Sequence, residues 1–588
     1  MRDKLVIANC SGFYGDRYAA AAEMVRGGPI DVLTGDYLAE LTLAILHRVR
    51  LKKPALGYAA SFLGQMEEIL GECLDEDIKI VVNAGGLNPA GLAAELQRTA
   101  ERLGLHPKIA YIDGDDVVDR ISELQAAGEA FIHMERGIPL SRAPGKPVTA
   151  NVYLGGWGIA AALGAGADVV IAPRVTDAAL VVGPAAWKFG WRRDDYNALA
   201  GAVAAGHVIE CGPQACGGNY AFFDEVPSFR NIGFPIAEVY ADGSSVITKH
   251  PDTGGIVSVG TVTAQLLYEI RGARYHNPDV TARFDTARLE QEEPDRVRIF
   301  DVVGEPPPDM AKVAVNLQDG YRNAMTMYLA GLHIEDKAEI LEEQVLERLG
   351  GPAAYGSLTT DIDRTEVGDP SSNEDAVARF TVTVTDADAD KAGREFSSKI
   401  VELAVSTVPG FKLATPPGDA VPNMAFWPAL LSNKHVHQRV HVGGKTLEIP
   451  AAAGVQVHEP VPEVPFAAFP KLKDTVRLPF GTLFGTRSGD KGGSANLGVW
   501  AKLPEEYAFL CTFLTVEKLH ELLPDLHGCR TERHVFPLLL AVNFYIEGLL
   551  DDGAISSSRF DPQAKTLGEY LRAKSIDFPT VLVPAAKA

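Results

Sequence analysis

Short apolar runs alternate with glycine-rich polar turns and amphipathic stretches from the first residues onward, an order that predicts β-turn-α units feeding a mostly parallel sheet. Residues 5–9 read as a strand that ends in Gly12-Phe13-Tyr14-Gly15-Asp16-Arg17. Val32-Leu33 leads into Thr34-Gly35-Asp36-Tyr37-Leu38-Ala39-Glu40 and a helix, and 78–82 runs into Asn83-Ala84-Gly85-Gly86-Leu87-Asn88-Pro89 and another helix. Residues 108–112, followed by Asp113-Gly114-Asp115-Asp116, repeat the pattern, and 167–174 adds a fifth strand that hands over to Arg174-Val175-Thr176-Asp177.

Between about 205 and 330 the pattern is richer in strand and glycine. Residues 336–350 predict a helix stopped by Gly350, 378–385 an alternating strand, and 390–405 a further helix. From 408 to 472 proline and glycine dominate, a linker-like composition. The predicted division is therefore a core domain over 1–450, a Pro-rich linker over 451–473 and a small α+β domain over 474–588. In the last segment, 476–478, 495–500 and 507–512 read as strands, and 515–523 and 535–550 as helices.

A chain of 588 residues, 46% hydrophobic, exceeds one core and can bury active sites. Its net charge of −22 argues against nucleic acid and acidic lipid as partners, because basic residues supply most of that affinity. Small molecules, and a second copy of the chain in a homo-oligomer, are the expected partners. The six cysteines are scattered and lack paired spacing, which suits a reducing compartment. The first residues enter a strand directly without a long apolar stretch, so a cytoplasmic location and no membrane span are expected.

In open α/β sheets ligands bind at the carboxyl ends of strands, which makes the polar turns the first place to look for chemistry. Each turn could instead simply cap its helix. The carboxylates there (Asp16, Asp36, Glu40, Asp113, Asp115, Asp116 and Asp177) can be tuned by burial toward moving a proton near neutral pH. Asp36 and Glu40 share one side if a helix starts at Asp36. Gly485-Thr486-Arg487-Ser488-Gly489-Asp490-Lys491-Gly492-Gly493 reads as an anion-binding loop or as a charged hairpin, and lacks the Walker spacing. Cys211 and Cys216 have no evident base beyond His207, so a buried turn is favoured over a nucleophile. His435, His437 and His441 share strand parity, yet a polar strand face is favoured over a metal site, and no metal ligand is assigned. No G-x-G-x-x-G follows the first strand, which weakens an NAD-dependent reading.

Taken in order and spacing, the turns at 12–17, 33–40, 83–89 and 173–177, continuing through 210–220 and Gly254-Gly255, resemble the motifs of the acyclic terpene utilisation (AtuA) family. The segment 474–588, with Thr486-Arg487-Ser488-Gly489-Asp490-Lys491-Gly492, resembles the ferredoxin-like module that many members carry. The resemblance implies a large α/β domain of Rossmann-like units, a small ferredoxin-like α+β domain, and a role in the breakdown of branched or terpenoid acyl thioesters. It supplies no catalytic residues.

The expected activity is a cofactor-independent lyase or hydratase on a branched acyl-CoA or related carboxylate, with CoA present only as part of the substrate. The alternative is a non-catalytic binding partner of an acyl-CoA carboxylase pathway. Asp36 and Asp177 are the expected proton movers. Backbone N–H groups around Gly85-Gly86 and Gly155-Gly156 are expected to steady an enolate oxygen. Asp16, Arg17, Asn83, Arg174, Asn219, Arg487, Ser488 and Lys491 are expected to contact substrate, with Lys491 and its loop on the CoA phosphates.

Overall fold

The structure is a computed structural model that describes residues 4–456, 458–459, 461, 464–551, 553, 557 and 559–583. The chain folds as two units, one formed by Met1–Arg142, Val148–Asn316 and Phe426–Ala588, the other by Ala143–Pro147 and Leu317–Ala425.

The first unit is built on an eleven-stranded sheet. At its centre lie β1 (Lys4–Asn9), β2 (Val32–Gly35), β3 (Lys79–Val82), β4 (Ile109–Asp113) and β5 (Val169–Ile171), in the order β1-β2-β3-β5-β4 and all parallel. The apolar runs of β1, β3 and β5 are buried almost throughout, as parallel strands covered by crossover helices require, whereas β4 alternates buried and half-buried positions. The helices Ala20–Arg26, Ser61–Asp75 and Pro89–Leu103 share one core with these strands, and Asn88 caps the last by accepting a hydrogen bond from Gly91 N at 3.0 Å.

A mostly parallel sheet is not what the flanks show. Pro235–Tyr240 and Ser245–Lys249 join beside β1, followed by Arg296–Phe300 and Arg288–Glu293. Beyond β4 lie His437–Val442 and Lys445–Pro450. All six are antiparallel to their neighbours. The cause is the turns: Asp242-Gly243 and Gly443-Gly444 close tight hairpins, with Gly243 at φ 86° and Gly444 at φ 74°, and a connection that short can only join antiparallel neighbours. The same hairpin places residues 437–450, expected to belong to a linker-like tract, in the main sheet. Of the Pro-rich stretch, 457, 460, 462 and 463 lie outside the described residues.

The carboxyl-terminal part of this unit is a four-stranded antiparallel sheet in the order Gly485–Lys491, Ser494–Trp500, Ala541–Ile546, Thr531–Phe536, with Thr475–Pro479 paired to Ser575–Pro579 beside it. Phe480, Phe484, Phe544 and Phe578 fill its core together with side chains from helices Pro504–Phe513, Val516–Leu522 and Leu567–Arg572. Two expectations fail here. Residues 507–512 are helical, because Pro504 opens the helix and Glu506 accepts hydrogen bonds from Lys502 N and Leu503 N, while 535–550 holds strand and turn. In the sheet the continuous run Ala541–Ile546 is wholly buried.

In the second unit, residues 321–330 pair antiparallel with Val377–Asp386, which pairs in turn with Ser357–Asp363. Val377–Asp386 alternates buried and half-buried positions, and its inner face packs with Leu341, Val345, Phe396 and Ile400 of two helices.

Candidate functional site

A cavity of about 1210 Å³ opens at the carboxyl ends of β1, β2 and β5, all within the first unit. The turn after β1 contributes Gly12 and Asp16, the turn after β2 contributes Asp36 and Leu38, and the turn after β5 contributes Arg174, Thr176 and Asp177.

Arg174 is the organising side chain. It is 2% exposed, donates from Nη1 to the Leu38 carbonyl, approaches Asp177 Oδ1 with Nη2 at 3.1 Å, and lies 4.1 Å over the Tyr153 ring. A buried guanidinium needs such partners, since an uncompensated charge in the interior is costly. Its backbone is fixed as well: Arg174 N donates to Asp115 Oδ2 at 3.3 Å, and the same oxygen accepts from Asn151 Nδ2 at 2.7 Å. Burial, followed by the charge of Asp116, pushes the Asp115 carboxyl up to about 7.

Asp36 sits in an extended turn ahead of the helix that begins at Glu40, so the two carboxylates do not project from one helical side. Asn83, fully buried, sets this turn. Its Oδ1 accepts from Tyr37 N at 2.7 Å and its Nδ2 donates to Asp36 Oδ1 at 2.6 Å. Burial raises the Asp36 carboxyl well above the ordinary range, and the neighbouring charge of Asp177 adds to this against Arg174 and Asn83. Glu210, the last residue before Cys211, is raised in the same way by burial, then by Asp177 and Glu269. The cavity thus sets two carboxyls raised by burial against Asp177, ion-paired to Arg174.

The carboxyl-terminal sheet closes the cavity with Asp490, Lys491, Gly492, Tyr545 and Lys565. Its seat is the segment 267–271. Asn496 donates to Leu267 O at 2.7 Å and accepts from Glu269 N at 2.8 Å, while Asn543 donates to Ile270 O and Arg271 O, each at 3.1 Å. Gly489 is required there, since a Cβ would come within 2.4 Å of the Tyr268 ring. Across the seam Glu40 binds Lys312 Nζ at 2.5 Å and accepts from Gly492 N at 3.2 Å. Burial opposes the charge on Glu40, but Lys312, Lys491 and Arg174 together hold its carboxyl below the usual range. Glu269 pairs with Lys565 at 3.4 Å, and Lys565 also meets Asp490 at 3.2 Å. Lys491 reaches the cavity with no ion-pair partner among the described residues, 5.9 Å from the Tyr275 ring centre.

Of the residues expected from sequence, Asp16, Asp36, Arg174, Asp177, Asn219 and Lys491 line this one cavity. Asn83 lies beneath it. The others are placed elsewhere or otherwise committed. Arg17 pairs with Glu23 at 2.6 Å. Gly85 N donates to Ala172 O, Gly86 N to Asn83 O, and Gly156 N to Asp279 Oδ2 at 2.7 Å, while a Cβ on Gly155 would strike the Asp279 carboxylate. These glycines serve close packing and do not form an oxyanion site. The segment 485–491 is a paired strand and not an open loop: Arg487 donates to Gln214 and lies 4.1 Å over Tyr268, and Ser488 Oγ accepts from Gly568 N at 2.9 Å. Only its end, Asp490-Lys491-Gly492, lines the cavity.

Glu210, Tyr153, Lys312, Glu269 and Lys565 were not marked as candidates. Glu210 opens a Gly- and Cys-rich stretch, which was the one available signal, whereas Lys312 and Lys565 stand in unremarkable sequence. Burial raises the Cys211 thiol well above its ordinary value, and that of Cys216 likewise, which removes both as nucleophiles at neutral pH. The histidines of 435–441 face separate carboxylates, His435 meeting Glu129 at 3.2 Å and His441 meeting Asp113 at 3.0 Å. Among the described residues no group of three or more His, Cys, Asp or Glu side chains is arranged to hold a metal.

Residues 5–442 match the model of the acyclic terpene utilisation family protein AtuA, and 479–577 match the AtuA ferredoxin-like domain. The chain belongs to the AtuA family. No curated protein and no solved structure matches it. The AtuA match ends within strand His437–Val442, and the ferredoxin-like match spans the four-stranded sheet, so the cavity draws on both matched regions. No helix among the described residues is long and apolar enough to cross a membrane.

Proposed function

We propose that this AtuA protein is a lyase or hydratase that moves protons on a branched or terpenoid acyl thioester, or on the related free acid, without a cofactor of its own. The observation that carries the reading is the set of Asp36, Asp177 and Arg174 at one end of a large cavity. A neutral acid beside an ion-paired carboxylate is the arrangement that general acid–base chemistry needs, because one group can give a proton while the other takes one. Asp177 is the carboxylate that acts most strongly on Asp36.

The rest of the lining suits an amphipathic ligand. Leu41, Ile45, Met134, Phe426 and Leu430 offer an apolar wall for a branched chain. Lys491, without an ion-pair partner among the described residues, is the cation left to receive a developing enolate oxygen or a carboxylate. This role passes to Lys491 because the N–H groups of Gly85, Gly86 and Gly156 are committed to other acceptors.

The test is a thermal-shift and mass-spectrometric screen against CoA, 3-methylcrotonyl-CoA, citronellyl- and geranyl-type thioesters and the free acids. A thioester that raises the melting temperature and changes mass supports the enzyme. Stabilisation without conversion favours a binding partner of an acyl-CoA carboxylase pathway. Asp36→Asn and Asp177→Asn should each lose turnover, by about 10²-fold or more, while retaining binding. Unchanged turnover in both would remove these residues from the chemistry.

A further inference from the structure

Glu210 is, with Asp36, one of two buried carboxyls of the cavity among the described residues, and the scheme above leaves it without a task. It follows the helix Tyr196–Ile209, whose last turn carries His207 three residues earlier, so both side chains leave the same side of the helix end. His207 Nδ1 lies 3.4 Å from Glu210 Oε1. Glu210 reaches the cavity, whereas His207 stands behind it, 1% exposed, with its ring 4.7 Å from that of Tyr275 and 5.3 Å from that of Phe284. Glu210 Oε2 and both ring nitrogens of His207 are buried without a hydrogen-bond partner among the described residues, the approach of Nδ1 to Glu210 Oε1 apart.

Two polar groups buried side by side and otherwise unsatisfied each carry a desolvation cost, which a shared proton relieves. We propose that Glu210, oriented by His207, is a third acid–base group of this cavity beside Asp36 and Asp177, and that it addresses the substrate oxygen while Asp177 addresses the neighbouring carbon. The proposal rests on the lyase or hydratase reading and narrows it to substrates with an oxygen β to the carbonyl. In the elimination direction the Asp177 carboxylate takes the α-proton and the C–H electron pair forms the double bond. The β C–O bond breaks as the Glu210 carboxyl gives its proton to the departing oxygen, releasing water. Hydration is the reverse, and a proton returned from Asp177 to Glu210 restores the starting state.

The surroundings agree with this. Burial, then Asp177 and Glu269, hold the Glu210 carboxyl neutral against the pull of Lys491 and Arg174. Burial and Lys491 push His207 down to about 4 against Glu269 and Asp177, so the imidazole is neutral and can accept from the acid.

Infrared difference spectra of the full-length protein at pH 7 test the pair without any ligand. Wild type minus Glu210→Gln should show the carbonyl stretch of a protonated carboxylic acid, and His207→Asn or His207→Gln should shift that band in a protein with unchanged circular dichroism. No band, or a band indifferent to both His207 variants, would overturn the proposal. With 3-methylcrotonyl-CoA as probe, Glu210→Gln should lower kcat by about 10²- to 10⁴-fold with little change in KM, and the His207 variants should move the pH profile. Wild-type turnover that survives Glu210→Gln also overturns it. If wild type itself fails to turn over any thioester, the lyase or hydratase reading falls, while the infrared band still decides whether the pair shares a proton.

Discussion

Replacing Asp115 with Asn probes the support beneath Arg174 through its pH dependence. The Asp115 carboxyl is 3% exposed and titrates at about 7, against an ordinary value of 3.8. A raised folded value means that the native state binds more protons than the unfolded chain between these two pH values. The stability from that proton is fully present below about pH 4 and is lost as pH rises through about 7. At 1.36 kcal/mol per unit, a shift of about 3 units corresponds to about 4 kcal/mol. Asn cannot ionise but can still accept from Asn151 and Arg174 N, so Asp115→Asn removes the pH-dependent part and leaves the geometry. The melting temperature of the variant relative to wild type should therefore climb between pH 4 and pH 8. With an unfolding entropy of about 2.1 cal/mol/K per residue, 4 kcal/mol in a chain of this length gives about 3 °C. Melting curves recorded by fluorimetry at half-unit pH steps measure it. Parallel curves for the two proteins across that range would refute the account of Asp115.

Three further outcomes follow from the geometry. Arg174→Met leaves Asp177 without its partner and should cost about 3–5 kcal/mol and abolish any thioester-induced rise in melting temperature, read by chemical denaturation and thermal shift. Asn543→Ala strands the Ile270 and Arg271 carbonyls and the Asn496 amide, and should destabilise by about 2–3 kcal/mol in the same denaturation assay. Gly489→Ala forces Tyr268 from beneath Arg487 and should cost about 1–3 kcal/mol, with proteolysis between 450 and 480 becoming faster as the seam loosens.

The parallel centre of the sheet was legible because its strands are uninterrupted apolar runs closed by polar turns, and it is those turns that bring Asp16, Asp36, Arg174 and Asp177 together. The antiparallel flanks were misread although Asp242-Gly243 and Gly443-Gly444 announce hairpins, since composition over 408–472 drew attention away from the strand that ends at Val442. Glycines looked like ligand-binding turns when their N–H groups were already committed, as at Gly156 with Asp279. Lys312 and Lys565 gave no signal because their importance arises from pairing with Glu40 and Glu269, far away in sequence.

The seam between 267–271 and the carboxyl-terminal sheet has a consequence for biosynthesis. A chain emerging from the ribosome can complete its central parallel strands early, since these lie within the first 171 residues, and domains fold in the order they are made. The binding cavity, by contrast, lacks Lys491 and Lys565 until almost the whole polypeptide has been translated. A stop codon ahead of the carboxyl-terminal sheet would leave Glu40 without the Gly492 N–H and Glu269 without Lys565.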